Sequence, residues 1–244
     1  LVTAYSYDAL DRQEQLNSPD TGVTGAQYDA NGNLISQVDS RSITVTHAYD
    51  QLDRRVSTGF PILGEDRTYL YDQGVDGIGR LAGYDDPSGQ TRFTYDARGN
   101  LMAEDRNIGG QAYHLAYVYD AADRMTSLAY PSGLTVTYGY DGQGRVRQIR
   151  ADGQPVLSDI AYLPFGPAST WIDGSGLMHT EGFDADYRPT GITVGGIQDF
   201  SYLFDAADNI TDWSDALDAA RSQTFGYDAL DRVIDAEGPY GIMD

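Results

Sequence analysis

The chain carries 37 carboxylates, 16 basic residues that are all arginine, three histidines and no cysteine. Paired carboxylates are the first candidates for chemistry. Asp184 with Asp186, and Asp85 with Asp86, lie close in sequence. A glycosidase needs two carboxyls roughly 5–9.5 Å apart across a cleft. Acids on nearby strand positions meet that distance by chance in so acidic a chain, so neither pair receives a catalytic role. His47, His114 and His179 are scattered, and none has a partner at the i, i+4 spacing of metal ligands. Without cysteine there is no disulfide framework, thiolate zinc site or thiol nucleophile. No segment matches the Gly-Gly-Xaa-Gly-Xaa-Asp calcium repeat, and Val75-Asp76-Gly77-Ile78-Gly79 is too short for an EF-hand loop. Gly142-Gln143-Gly144 lacks the helix and remaining glycines of a phosphate loop. The expectation is a chain with no catalytic residue, no cofactor and no metal, and therefore not an enzyme.

One combination recurs throughout. An aromatic followed by aspartate stands at Tyr7-Asp8, Tyr28-Asp29, Tyr49-Asp50, Tyr71-Asp72, Tyr95-Asp96, Tyr119-Asp120, Tyr140-Asp141, Phe183-Asp184, Phe204-Asp205 and Tyr227-Asp228. A degenerate copy, Tyr162-Leu163-Pro164-Phe165-Gly166, fills the one gap. The mean period is about 22 residues, the range of structural repeats. Tyrosine stacks on sugars and aspartate binds their hydroxyls, so a glycan platform is one reading. Repetition in every copy favours the other reading, in which each pair builds a hairpin.

The remaining positions support the hairpin. After the acid come two free positions and then Gly, Asp or Asn. The sixth place holds Arg12, Arg54, Arg80, Arg124, Arg145, Arg188 or Arg232, or else Asn33, Asn100 or Asn209. Arg80 is reached through an insertion, Gly74-Val75-Asp76-Gly77-Ile78. Aspartate opening a type I turn accepts from the backbone N–H groups that follow. The fifth residue must then adopt positive φ, which Gly, Asn and Asp tolerate best. A type I turn plus one left-handed residue is a standard bulged hairpin connection. The aromatic faces the residue after the sixth: Leu34, Leu81, Leu101, Met125, Val146, Ile210 or Val233. Asp and Arg of each copy are expected to form an ion pair beside the turn.

A second turn separates copies, as at Asp86-Pro87-Ser88-Gly89, Asp152-Gly153 and Gly195-Gly196. Between turns the pattern alternates, as in Leu134-Thr135-Val136-Thr137-Tyr138-Gly139-Tyr140. Leu134, Val136, Tyr138 and Tyr140 then share one face. The stretch Asp212–Ala220 has weak helical character and is read as an elongated turn. The fold expected is all-β: one continuous antiparallel meander of about 22 strands over residues 1–244, with enough apolar residues, 41%, for a packed interior. At about 4.8 Å per strand such a strip is roughly 105 Å long, and open twisted sheets of that size curl or close.

The formal charge of -21 opposes nucleic acid and an anionic membrane surface as partners. No run approaches the roughly 18 apolar residues of a membrane span. Leu1-Val2-Thr3-Ala4-Tyr5 is neither a signal peptide nor a starting methionine. The chain opens on a strand and closes just after a turn, without caps, and is read as part of a longer strip.

The Tyr-Asp copies, at fixed register over the whole chain, resemble the Rhs/YD-repeat family. Its members include bacterial Rhs polymorphic toxins, shell components of ABC toxin complexes, and teneurins. The resemblance implies a β-strip spiralling into a hollow shell that, in bacterial members, encloses a C-terminal toxin. The implied partners are that toxin or the remainder of the shell, and a type VI secretion machine or injection pore. The implied location is the bacterial cytoplasm before export and the exterior afterwards. The family's core segment rich in Asp-Pro-Xaa-Gly, with its autoproteolytic site, is not found here, nor is a toxin domain. The alternative is an extracellular module that binds carbohydrate or protein.

Overall fold

The computed structural model describes residues 2–61 and 64–243. The two chain ends used above to infer a longer strip, Leu1 and Asp244, lie outside them. Two compact units are distinguished, Leu1–Gly133 and Leu134–Asp244.

The first unit contains β1 (Ala4–Tyr7), β2 (Gln13–Ser18), β3 (Gly22–Tyr28), β4 (Leu34–Val38), β5 (Thr44–Tyr49) and β6 (Arg55–Gly59). It continues with β7 (Arg67–Tyr71), β8 (Leu81–Asp86), β9 (Gly89–Tyr95), β10 (Leu101–Ile108), β11 (Gln111–Tyr119) and β12 (Met125–Ala129). Each strand pairs antiparallel with the next. The second unit is built alike. It holds β13 (Thr135–Tyr140), β14 (Val146–Ala151), β15 (Gln154–Tyr162), β16 (Ala168–Asp173), β17 (Met178–Phe183) and β18 (Pro189–Val194). Then come β19 (Gln198–Phe204), β20 (Ile210–Asp215), β21 (Gln223–Tyr227), β22 (Val233–Gly238) and β23 (Gly241–Met243). Again neighbours in sequence are neighbours in the sheet.

The fold is all-β, with 23 strands among the described residues, one more than expected. The segment read as an elongated turn, Asp212–Ala220, is divided: β20 runs on to Asp215, and a single 3-10 turn spans Ala219–Arg221. Asp218 caps that turn by accepting from the Ala220 N–H.

The register follows the repeat. Tyr28 faces Leu34, Tyr71 Leu81, Tyr95 Leu101 and Tyr119 Met125. In the second unit Tyr140 faces Val146, Phe204 Ile210 and Tyr227 Val233. Just past each of these pairs the register slips by one, a bulge that sharpens the local twist. The faces separate as the alternation requires. Val136, Tyr138 and Tyr140 lie opposite Ala151, Ile149 and Val146, while Thr137 and Gly139 lie opposite Arg150 and Gln148.

The packed interior expected from the apolar content is not what either unit contains. Among the described residues only Ala82, Leu128, Val194 and Ala236 are buried apolar side chains, and no large side chain is fully enclosed. A single-layer meander has two broad faces and encloses no interior of its own, so most of its tyrosines, leucines and isoleucines stay partly exposed. Lateral bonds must therefore do the work that a core does elsewhere.

Candidate functional site

The residues singled out by the repeat gather along the hairpin-turn edge of each unit. In the first copy Asp8 Oδ1 accepts from the backbone N–H of Leu10 at 2.8 Å and of Arg12 at 2.9 Å. Its Oδ2 accepts from Arg12 Nε at 2.6 Å. The backbone closes the loop through Asp8 N–H to Arg12 C=O at 2.9 Å and Asp11 N–H to Asp8 C=O at 3.1 Å. Asp11 has φ 59°, the left-handed conformation required of the fifth residue. Asp50 with Arg54, Asp120 with Arg124, Asp141 with Arg145, Asp184 with Arg188 and Asp228 with Arg232 repeat this geometry. Asn33, Asn100 and Asn209 substitute an amide N–H for the guanidinium, donating to Asp29, Asp96 and Asp205 at 3.0, 3.0 and 3.1 Å. The acceptor role sets the charge state. The Arg12 backbone N–H, then its side chain, hold the Asp8 carboxyl below the ordinary carboxylate value; the Asn33 side chain does so first at Asp29.

Three copies depart from the expected pattern. In the copy at Tyr71 the inserted residues carry Arg80 away from Asp72. Arg80 instead donates to the Asp76 and Ile78 carbonyls at 2.7 and 3.5 Å, so the expected Asp72–Arg80 pair does not form. Asp72 is taken by the fork of Arg54, at 3.0 and 2.6 Å, and by the Gly79 N–H. Those bonds pull its carboxyl down to about 2. In the copy at Phe183 the fifth residue is Tyr187 at φ 62°, outside the Gly, Asp and Asn set. Its ring lies where a Cβ on Gly166 would have to sit, so the preceding copy makes room for it. In the degenerate copy Gly166 is not among the positive-φ residues. It precedes Pro167, which steers the residue before it toward extended backbone. The loop still closes by Leu163 N–H to Pro167 C=O at 3.1 Å.

Not anticipated from one copy is that Arg12, Asn33, Arg54, Arg80, Asn100, Arg145, Arg188 and Asn209 also reach the next hairpin. In the first unit the Arg12 guanidinium lies 4.9 Å from the centre of the Tyr28 ring and donates to the Asp29 carbonyl at 3.0 Å. Arg54 lies over Tyr71 at 4.5 Å and Arg80 over Tyr95 at 5.7 Å. In the second unit Arg145 covers Tyr162 at 4.6 Å and Arg188 covers Phe204 at 5.0 Å. The tyrosine hydroxyls complete the stitch in the opposite direction. Tyr28, Tyr49, Tyr95, Tyr162 and Tyr227 donate to the carbonyls of Gln13, Leu34, Leu81, Val146 and Ile210, each just past the sixth residue of the copy before. The signal was present in the period: two strands per copy place the first residue of one hairpin beside the sixth of its predecessor.

The other candidate chemistry is engaged in structure. Asp184 is held by its turn and Arg188, Asp85 pairs with Arg92 at 2.5 Å, and Asp86 accepts from the Ser88 N–H and hydroxyl. His47 bonds Thr58, His114 bonds Asp105, and His179 bonds Asp173 while stacking on Trp171 at 5.1 Å. Trp213 meets Phe200 edge-on at 5.1 Å. Among the described residues no group of three His, Cys, Asp or Glu side chains could hold a metal ion. Among the described residues no helix is long and apolar enough to cross a membrane. An open apolar groove of about 350 Å³ in the second unit lies between Val146, Ile149, Leu157, Ile160 and Trp171.

The family model described as Teneurin YD-shell matches residues 1–127, and that described as RHS Repeat matches residues 119–155. A curated relative, the double-stranded DNA deaminase toxin A of Burkholderia cenocepacia, is 29% identical over 126 residues, 52% of this chain and 8% of its own. The crystal structures of TcdB2-TccC3 and of TcdB2-TccC3-Cdc42 each superpose with TM-score 0.80 at 17% identity, covering 97% of this chain and 14% of theirs. The Photorhabdus luminescens Tc holotoxin pore gives 0.79 at the same identity and coverage. The fold is thus shared with these assemblies, of which the chain spans a small fraction.

Proposed function

The chain belongs to the teneurin YD-shell family, and from that premise we propose that residues 1–244 are one stretch of shell wall that keeps a toxic polypeptide enclosed until delivery. The observation that carries this reading is the turn edge. Within each unit, successive hairpins are joined by a guanidinium or amide reaching forward, and in several copies by a tyrosine hydroxyl reaching back. A single layer so laced is stiff without a core, which suits a partition between two spaces. The work is steric. The Tyr-Asp pairs and their Arg or Asn partners build the wall, and no residue serves as acid, base or nucleophile. The partners are the enclosed polypeptide, the rest of the shell, and the export or injection machinery. The protein works outside the producing cell, after a stage in the bacterial cytoplasm.

The test is protease protection in the whole protein of which this chain is a part. The enclosed segment should co-purify and resist digestion while the wall is intact. It should become sensitive when several turn aspartates, such as Asp120 and Asp141, are replaced by alanine. Equal digestion of the segment with and without an intact wall would remove the container reading, and tight binding of the isolated chain to glycan arrays would favour the adhesion module.

A further inference from the structure

The sixth residue of one copy and the fifth residue of the next are not independent. Asn33, Asn100 and Asn209 are followed one copy later by Asp53, Asp123 and Asp231. Arg12, Arg54, Arg80 and Arg145 are followed by Gly32, Gly79, Gly99 and Gly166, and Arg124 with Gly144 repeats the combination in the sequence. Arg188 is followed by Asp208. No asparagine is followed by glycine.

The geometry explains the bias. An asparagine amide has two N–H donors, and both are used. Asn33 Nδ2 donates to its own Asp29 at 3.0 Å and across to Asp53 Oδ1 at 2.6 Å. Asn100 bridges Asp96 and Asp123 at 3.0 and 2.7 Å, and Asn209 bridges Asp205 and Asp231 at 3.1 and 3.0 Å. The short side chain ends at the next turn's fifth residue, so it needs an acceptor there. Arginine is longer. It spans the next aromatic ring and finds an acceptor at the second residue, as Arg12 does on the Asp29 carbonyl and Arg145 on that of Leu163. The fifth residue then needs no side chain, and at Gly99 a Cβ would overlap the Arg80 guanidinium. Where Arg188 does meet an aspartate, the two pair at 2.6 Å. Arginine therefore accepts glycine or aspartate, and asparagine requires the acceptor.

We propose that these two positions form a neighbour code, an interaction surface by which each hairpin selects the hairpin that can lie against it. An Asn-type hairpin takes as its partner a copy with aspartate in fifth place; an Arg-type hairpin also takes one with glycine. The code holds whatever the wall encloses. It assigns Asp53, Asp123 and Asp231 a role in joining copies that left-handed backbone preference alone does not give them, since glycine satisfies that preference better.

A double-mutant cycle in the 244-residue chain tests it. Asp231→Gly is made in the native background and in an Asn209→Arg background, with Asp231→Asn as the variant that keeps an acceptor oxygen. The cycle cancels the intrinsic gain of glycine at positive φ. The substitution to glycine should cost about 2–4 °C more in thermal midpoint beside the native Asn209 than in the Asn209→Arg background, and Asp231→Asn should stay within about 1 °C of the native chain. The same cycle at Asn33 and Asp53 should give the same sign. Equal shifts in both backgrounds at both junctions would overturn the code.

Discussion

Four residues beyond the sixth position of each copy lies a side chain on the same face as the aromatics. In Leu1–Gly133 that row reads Leu16, Gln37, Thr58, Tyr84, Glu104 and Leu128. In Leu134–Asp244 it reads Ile149, Trp171, Ile192, Trp213 and Ala236. The cross-strand partners do not all share the polarity of the row. Glu104 lies opposite the apolar Phe93 and Leu115 and is buried against Arg106 at 2.5 Å, whereas Ile149 lies between Tyr138 and Leu157, and Ile192 between Glu181 and Phe200. The turn edges of the two units, in contrast, share the bond from the Arg or Asn side chain to the turn aspartate in all but the copies at Tyr71 and Tyr162. Turn chemistry closes within one hairpin and its neighbour, so it recurs in most copies of both units. The face carries no such repeated bond, and its polarity differs between the units.

This contrast can be broken at several levels. Acid should have the largest effect, because it acts on the edge of both units together. The turn carboxyls have folded values below the unfolded value of about 3.9. Their contribution is complete above that pH and is lost as pH falls through the folded values, which reach about 2 at Asp72. Thermal midpoints measured from pH 7 to pH 2 should be flat above about pH 5 and fall steeply below about pH 4; a flat profile throughout would mean the edge is dispensable. Next, Asp141→Ala removes two backbone bonds and the Arg145 contact at once. It should lower the midpoint by roughly 4–8 °C, and Asp50→Ala in the other unit should do the same. On the face, Trp171→Ala loses half-buried ring area and the stack on His179, which should cost about 1–2 kcal/mol by denaturant titration. The smallest change is expected from Glu104→Leu, which gives the first unit the polarity of the second. Replacing a buried charge by a leucine against Phe93 and Leu115 should leave stability within about 1 kcal/mol of native. A large loss there would show that the polar row is structural after all.

The strands, their register and the turn bonds were legible because each is a local consequence of short-range residue order. Tyr28 opposite Leu34 and Tyr95 opposite Leu101 could be written down from the repeat alone. The exceptions were legible only in part. The insertion before Arg80 was visible, but not that Arg54 would claim Asp72 in its place. Tyr187 in the left-handed region was not expected, since its conformation depends on the space left above Gly166 by another copy.

By itself the amino-acid order determined the hairpin: an aspartate that gathers backbone N–H groups, a residue that accepts positive φ, and an alternation that assigns side chains to faces. All of these act over fewer than about ten residues, where chain connectivity already brings the groups together. What only the tertiary structure decided is how one hairpin holds the next. The reach of a guanidinium across a neighbouring ring, the need of a shorter amide for a carboxylate on the following turn, and the absence of an enclosed core depend on which strands lie side by side. Those distances exist only once the meander has formed.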